Sequence, residues 1–306
     1  MRNSYSSENK TVHFYFLLNF TNMKKITILI HCKDQSGIIA AVTNFIASKN
    51  GNIVYIDQHV DQEQEVFFMR LEGEFDDGSY NKTNFTAQFQ QEIAHRFDMN
   101  WELHTAAYRP KMALFVSKYD HCLYDILGRY KSGELALEIP IIISNHLDLK
   151  PIADSFGVPF FHVPVTKDSK PEAEAKHLAL LSEHAIDFIV LARYMQIIPE
   201  GLINKYPHKI INIHHSFLPA FVGAKPYHSA YKRGVKIIGA TSHYVTVELD
   251  AGPIIEQDVT RVSHTHSISD LISKGRDLEK IVLSTGIKLH LDRKVMVYNN
   301  KTVIFS

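Results

Sequence analysis

Only two cysteines, Cys32 and Cys122, occur among the 306 residues of the chain. Two thiols cannot build a disulfide framework, and their scarcity fits a reducing, cytoplasmic setting. Net charge is also lacking, since 33 Lys+Arg balance 33 Asp+Glu. That balance removes the global electrostatic case for nucleic acid or an anionic membrane as a partner. No apolar run is long enough to span a bilayer. The sequence contains no Gly-x-Ser-x-Gly elbow, which argues against a serine hydrolase. Histidine, by contrast, is plentiful at 18 residues, so a single imidazole carries little weight by itself.

The start of the chain reads differently from the rest. Val12 to Phe20 is apolar and follows Arg2 and Lys10, in the manner of a signal peptide. However, His13 and Asn19 interrupt the run and no small-residue cleavage site follows. Residues 1–22 are expected to be a disordered or misassigned extension, with Met23-Lys24-Lys25 opening the first strand.

From there to Tyr108 the pattern is β-α-β-β-α-β. Ile26 to His31 is β-branched and runs into the turn cluster Lys33-Asp34-Gln35-Ser36-Gly37. Ile38, Ala41, Val42, Phe45 and Ile46 follow at helical spacing, and Asn50-Gly51-Asn52 stops that helix. Ile53 to Val60 and Val66 to Glu74 read as strands. Phe85, Phe89, Ile93 and Phe97 mark a second helix, and Glu102 to Tyr108 can close the sheet. This order is ferredoxin-like. With Asp34-Gln35-Ser36-Gly37-Ile38 at the first strand–helix turn, it resembles an ACT domain. The resemblance implies an amino-acid effector near Asp34, Gly37 and Ile38, and a homo-oligomer formed through this domain. Taken alone, Asp34 could simply cap the helix and Gly37 ease its packing.

Tyr108-Arg109-Pro110 is the expected linker, and residues 109–306 form the second domain. Strand and helix signals alternate there: Lys111 to Ser117, Leu123 to Tyr130, Ile139 to Ser144, Phe160 to Val163, Pro171 to Glu183 and Asp187 to Leu191. Such alternation predicts an α/β, Rossmann-like unit with a mostly parallel sheet. Ligands of such sheets sit at the carboxyl ends of strands. Near the end, Leu271, Leu278, Ile281 and Val282 mark one face of a helix over Ser267–His290. Asn299-Asn300 then reads as a hairpin turn.

The chemistry gathers in Ile210 to Asp258. Asn212 and His214 are spaced to project from the same face of one strand. After a second strand-like run, Ile237 to Val247, Asp250 follows on Leu249-Asp250-Ala251-Gly252-Pro253. An amide, an imidazole and a carboxylate on strand ends make a general acid/base and oxyanion set without a metal. Each also has a plainer reading, as a strand-end cap, a core histidine and an ordinary Asp-x-Gly turn. His264-x-His266 lacks the further ligands a zinc site needs.

Asn212-x-His214, Ser216-x-Leu218-Pro219 and Leu249-Asp250-x-Gly252-Pro253 resemble the folate-dependent formyltransferase fold. His214 to Phe221, Ala224 to His228, Phe115 to Cys122 and Leu191 to Gln196 are similar to the formyltetrahydrofolate deformylases within it. An ACT-like domain ahead of the catalytic domain is the arrangement of those enzymes. The resemblance covers residues 23–306. It implies hydrolysis of 10-formyltetrahydrofolate to formate and tetrahydrofolate, with no cofactor or metal beyond the folate substrate. It further implies that Asn212, His214 and Asp250 are catalytic. The folate would be held by Arg193, Tyr194, Met195, Gln196 and Ile197, with His215, His243 and Gly252 as neighbours in the site.

Two other functions compete. A formyltransferase acting on a nucleotide would need a phosphate cradle, usually glycine-rich. Ser117-Lys118-Tyr119-Asp120-His121 contains no glycine, and Asp120 would disfavour a phosphate there unless it points away. A non-catalytic sensor of amino acids and folate would not need Asn212, His214 and Asp250 together.

Overall fold

A computed structural model describes residues 23–306 except 77, 79 and 221–225. The expectations for residues 1–22, for Phe221 and for Ala224-Lys225 lie outside the described residues. The chain divides into two compact units at Tyr108/Arg109, and Phe305–Ser306 group with the first unit rather than the second.

In the first unit, β1 (Met23–Lys33), α1 (Ile38–Ser48), β2 (Asn52–Asp61), β3 (Val66–Asp76), α2 (Lys82–Phe89) and β4 (Asn100–Thr105) follow in order. The four strands form an antiparallel sheet of order β2-β3-β1-β4. Alternation puts Ile26, Ile28, Ile30 and Cys32 on one face of β1 and Phe67, Met69 and Leu71 on one face of β3, all in one core. Against them lie Ile38, Val42, Phe45 and Ile46 of α1. Asn50 takes the left-handed conformation that ends α1, at φ 57°.

The predicted second helix is not uniform. After α2, residues Gln90–Ala94 form a π-helical turn and His95–Phe97 return to α. Phe85, Phe89, Ile93 and Phe97 recur every four residues, which is wider than the 3.6-residue α period. A wider i→i+5 turn takes up that mismatch, so all four stay in the core.

The second unit holds β5 (Lys111–Val116), α3 (His121–Lys131), β6 (Glu138–Ser144), α4 (Lys150–Phe156), β7 (Phe160–His162), α5 (Lys170–Glu183), β8 (Phe188–Ala192) and α6 (Glu200–Lys205). It continues with β9 (Ile210–His214), α7 (Pro226–Arg233), β10 (Ile237–Tyr244), β11 (Ile254–Arg261), α8 (Ile268–Leu291) and the hairpin β12 (Val295–Tyr298) and β13 (Lys301–Ile304). A seven-stranded sheet runs β11-β10-β9-β8-β5-β6-β7. The five strands from β9 to β7 are parallel, and β10 and β11 add an antiparallel edge. Its central strands are apolar throughout because both faces are covered. Met112, Leu114 and Val116 enter one core, and Ala113 and Phe115 the other.

The order of connection reverses between β5 and β8, so their carboxyl ends flank the crevice where such sheets hold ligands. Ser267 opens α8 with a capping box to Asp270. Leu271, Leu278 and Val282 face inward from α8, whereas Ile281 is 52% exposed and does not join their stripe. Among the described residues, no helix is long and apolar enough to cross a membrane.

Candidate active site

An open cleft of about 300 Å³ lies at the carboxyl ends of β8 and β9. Residues 193–198 form one wall, Asn212, His214 and His215 the floor, and His243 with the loop from Val245 to Asp250 the other wall. The three residues proposed as catalytic therefore border one cavity.

Their geometry follows from strand register. Asn212 pairs with His243 and His214 with Thr241 across the antiparallel β9–β10 ladder. His243 Nδ1 lies 3.0 Å from the Tyr244 carbonyl, which can only accept, so Nδ1 carries the hydrogen. Burial, chiefly, pushes the pKa of His243 down, which favours the neutral ring. Its Nε2 is then an acceptor, and the Asn212 amide donates to it at 3.1 Å.

Asp250 reaches the site from the turn after β10, with φ 56° in the left-handed region. Gly252 makes that turn possible: a Cβ there would fall 1.8 Å from the Tyr244 carbonyl oxygen. Gly252 is a packing residue and does not line the cleft. The Asp250 carboxylate lies 3.3 Å from His214 Nδ1 and 3.7 Å from His243 Nε2. Hydrogen bonding to His214, above all, holds its pKa below the ordinary carboxylate value. His214 Nε2 is buried and has no hydrogen-bond partner among the described residues. A carboxylate on Nδ1 and an unused Nε2 suit an imidazole that donates to a developing oxyanion.

The wall at 193–197 is more varied than its motif suggested. Arg193 has a left-handed φ of 62° and a buried side chain. Tyr194 is buried edge-on against Phe115 and beside His177. Met195 and Ile197 are exposed and Gln196 is partly so. The Met195 N–H already donates to Ser117 Oγ at 3.0 Å, and that hydroxyl donates to Asn145 Oδ1 at 2.6 Å. Ser117 and Asn145 stand after β5 and β6, and sequence reasoning missed their role. Their place at carboxyl strand ends was the available signal.

The turn after β5 corrects one expectation. Asp120 does not present an unpaired charge to an anion, because Arg276 Nη2 donates to it at 2.6 Å. In the first unit, Asp34 is exposed, and its N–H donates to the Glu65 carbonyl. Gly37 takes φ 90° at the start of α1, which has no side-chain cap, so Asp34 is not a cap. Ile38 is a core residue, 2% exposed.

With this geometry in place, similarity decides the family. Residues 110–287 match the formyl transferase family model, and residues 26–79 match the ACT domain. A formyltetrahydrofolate deformylase of Synechocystis is 51% identical over 92% of this chain and 98% of that protein. The chain belongs to the formyltetrahydrofolate deformylases.

The crystal structure of the Pseudomonas syringae pv. tomato formyltetrahydrofolate deformylase superposes with a TM-score of 0.89. It is 47% identical and covers 96% of this chain and 99% of that one. A glycinamide ribonucleotide transformylase from Symbiobacterium toebii has a TM-score of 0.62 at 26% identity. Almost all of that protein, 98%, matches only 67% of this chain. The deformylase relatives thus share both units, and this transformylase has the length of the second unit alone. The expected α/β fold, an ACT domain followed by a formyltransferase domain with a mostly parallel sheet, stands for this deformylase-family chain.

Proposed function

We infer that the chain hydrolyses 10-formyltetrahydrofolate to formate and tetrahydrofolate, with water as the acceptor of the formyl group. The observation that carries this reading is the convergence of Asn212, His214 and Asp250 on one cleft in a chain similar to a deformylase over 92% of its length. Released formate would serve purine biosynthesis, and released tetrahydrofolate would balance the one-carbon pool.

A formamide is a poor electrophile, so catalysis requires stabilised oxyanion charge and an activated water. Water attacks the formyl carbon, and its proton passes to the His214–Asp250 pair. The Asn212 amide and His214 Nε2 donate to the oxyanion of the tetrahedral intermediate. Collapse breaks the bond from carbon to N10, N10 takes up a proton from the pair, and formic acid leaves, losing its remaining proton to water as formate. Removing one such donor costs about 100- to 1,000-fold in rate. Neutral His243 keeps the Asn212 amide turned with its nitrogen toward the strand partner.

The 193–197 wall would hold the folate, with Met195, Gln196 and Ile197 exposed to it and Arg193 and Tyr194 anchoring from behind. His215 lines the floor of the same cleft. The reaction calls for no metal or cofactor beyond the folate. An amino-acid effector would bind the first domain near Asp34 and Gly37, the chain would form a homo-oligomer, and its place would be the cytoplasm.

The decisive assay is formate release with no acceptor added, for the wild type and Asp250→Ala. Turnover that collapses in the variant supports the hydrolase. Turnover only when glycinamide ribonucleotide is supplied would replace it with a transferase.

A further inference from the structure

A buried carboxylate lies among the residues behind the 193–197 wall, and the mechanism above does not use it. Glu279 on α8 is 1% exposed. It accepts a hydrogen bond from Tyr227 Oη at 2.6 Å, and its other oxygen lies 2.7 Å from His121 Nε2. Arg193 Nε stands 3.4 Å from that same oxygen, an ion pair without a hydrogen bond. The Arg193 guanidinium also covers the ring of Tyr119 at 4.7 Å. Tyr227 in turn meets the ring of His215 edge-on, with centroids 6.1 Å apart.

Burying a lone carboxylate is costly unless partners compensate. Burial works against ionisation of Glu279, but His121, Arg193 and Tyr227 together hold its pKa below the ordinary value. The helix is shaped for this contact. Gly275 lies one turn before Glu279, and a Cβ there would fall 2.1 Å from Tyr227 Oη. Without a side chain at 275, the phenol can lie against α8 and reach the carboxylate.

A metal is the competing explanation, since ligand atoms of His121, Cys122 and Glu279 lie within 4.8 Å of one another. Two guanidiniums already occupy the surroundings: Arg193 at Glu279, and Arg276, whose Nε donates to His121 Nδ1 at 3.2 Å. Burial also raises the pKa of the Cys122 thiol, away from the thiolate that a metal would need. The cluster is completed by the protein's own cations.

We propose that Glu279 is a positioning residue for the folate cleft, fixing Arg193 at the head of the 193–197 wall and, through Tyr227, the ring of His215. Arg193 is a non-glycine residue in the left-handed region, a conformation that persists only when its surroundings impose it. Its inward ion pair with Glu279 and its stacking over Tyr119 contribute to that imposition, and the residues after it line the cleft. The proposal rests on the assignment of this cleft to the folate.

Glu279→Gln in the full chain tests it, because the amide keeps the shape and its oxygen can still accept from Tyr227, while the charge opposite Arg193 and the acceptor for His121 Nε2 are both lost. The expected result is a KM for 10-formyltetrahydrofolate raised about tenfold with kcat within about threefold, the mark of lost ground-state binding. The double variant Glu279→Gln/Arg193→Gln should then have a KM no higher than the worse single variant, since the two act through each other. An unchanged KM in folded Glu279→Gln, or multiplicative single effects in the double variant, would overturn the proposal. Should Glu279→Gln fail to fold, Tyr227→Phe removes one bond to the same carboxylate: a KM raised about threefold supports the proposal and an unchanged KM sinks it. Acceptor-free turnover by the wild type separates the outcomes. If the wild type releases formate and the variants bind folate normally, only the role of Glu279 falls.

Discussion

Asn212 and His243 face each other across the β9–β10 ladder, and the amide nitrogen of one lies 3.1 Å from Nε2 of the other. The opposite side of the His243 ring is tied to the Tyr244 carbonyl, so the ring is an acceptor toward Asn212 and not a second acid. One imidazole in the site therefore orients an amide, and the other, His214, meets the carboxylate of Asp250.

Replacing His243 should reveal that division. In His243→Ala the Asn212 amide loses the acceptor that fixes its rotation, and kcat should fall roughly 10- to 100-fold, as for outer partners that orient reacting groups. KM should change little, because the wall at 193–197 is untouched. Steady-state kinetics on formate release check this. A tenfold rise in KM with kcat intact would instead place His243 among the groups that bind folate.

Gly252→Ala should damage both stability and turnover. The added Cβ would stand 1.8 Å from the Tyr244 carbonyl oxygen, and a backbone atom cannot yield as a flexible side chain does. The loop must move, taking Asp250 with it, at a cost of at least about 2 kcal/mol. Denaturant midpoints and formate release would both register the shift. Wild-type values for both would show that the loop relaxes freely.

Ser117→Ala removes the hydroxyl that joins the ends of β5, β6 and β8. Asn145 Oδ1 would lose a donor and the Met195 N–H an acceptor. Leaving two inward-facing polar groups short of a partner costs about 1–3 kcal/mol. The wall should loosen, raising KM by a factor of several while the catalytic trio stays in place. Binding of tetrahydrofolate to the variant measures this directly, and an unchanged affinity would show that the wall holds itself.

Much of this arrangement was legible in the chain, for particular reasons. The two-residue spacing of Asn212 and His214 fixed a shared strand face, and Gly252-Pro253 marked the turn that carries Asp250. Strand order could not be read, so the cross-strand pairing of Asn212 with His243 stayed hidden. Glu279 was missed because it lies on α8 among Leu271, Leu278 and Val282, where the pattern reads simply as an amphipathic helix. A carboxylate on that buried stripe was the signal. The π-turn at Gln90–Ala94 was hidden differently, since a four-residue repeat of large apolar groups also reads as an ordinary helix.

Acid should destabilise the chain through His177. This ring is 4% exposed, packs edge-on against Phe115 and Tyr194, and has no hydrogen-bond partner for Nε2 among the described residues. Burial, helped by the charge of Lys176, brings its pKa down from 6.5 to about 4. A histidine with a lowered folded pKa favours unfolding in acid, because the unfolded chain takes up the proton first. Its contribution is intact above pH 6.5 and is lost progressively as pH falls toward 4. Between pH 7 and 5 the loss should be about 2 kcal/mol. His177→Phe keeps the ring contacts and removes the titration, so its stability should fall about 2 kcal/mol less over that interval. Urea unfolding at the two pH values compares the proteins. An equal drop in both would assign the acid sensitivity to other groups.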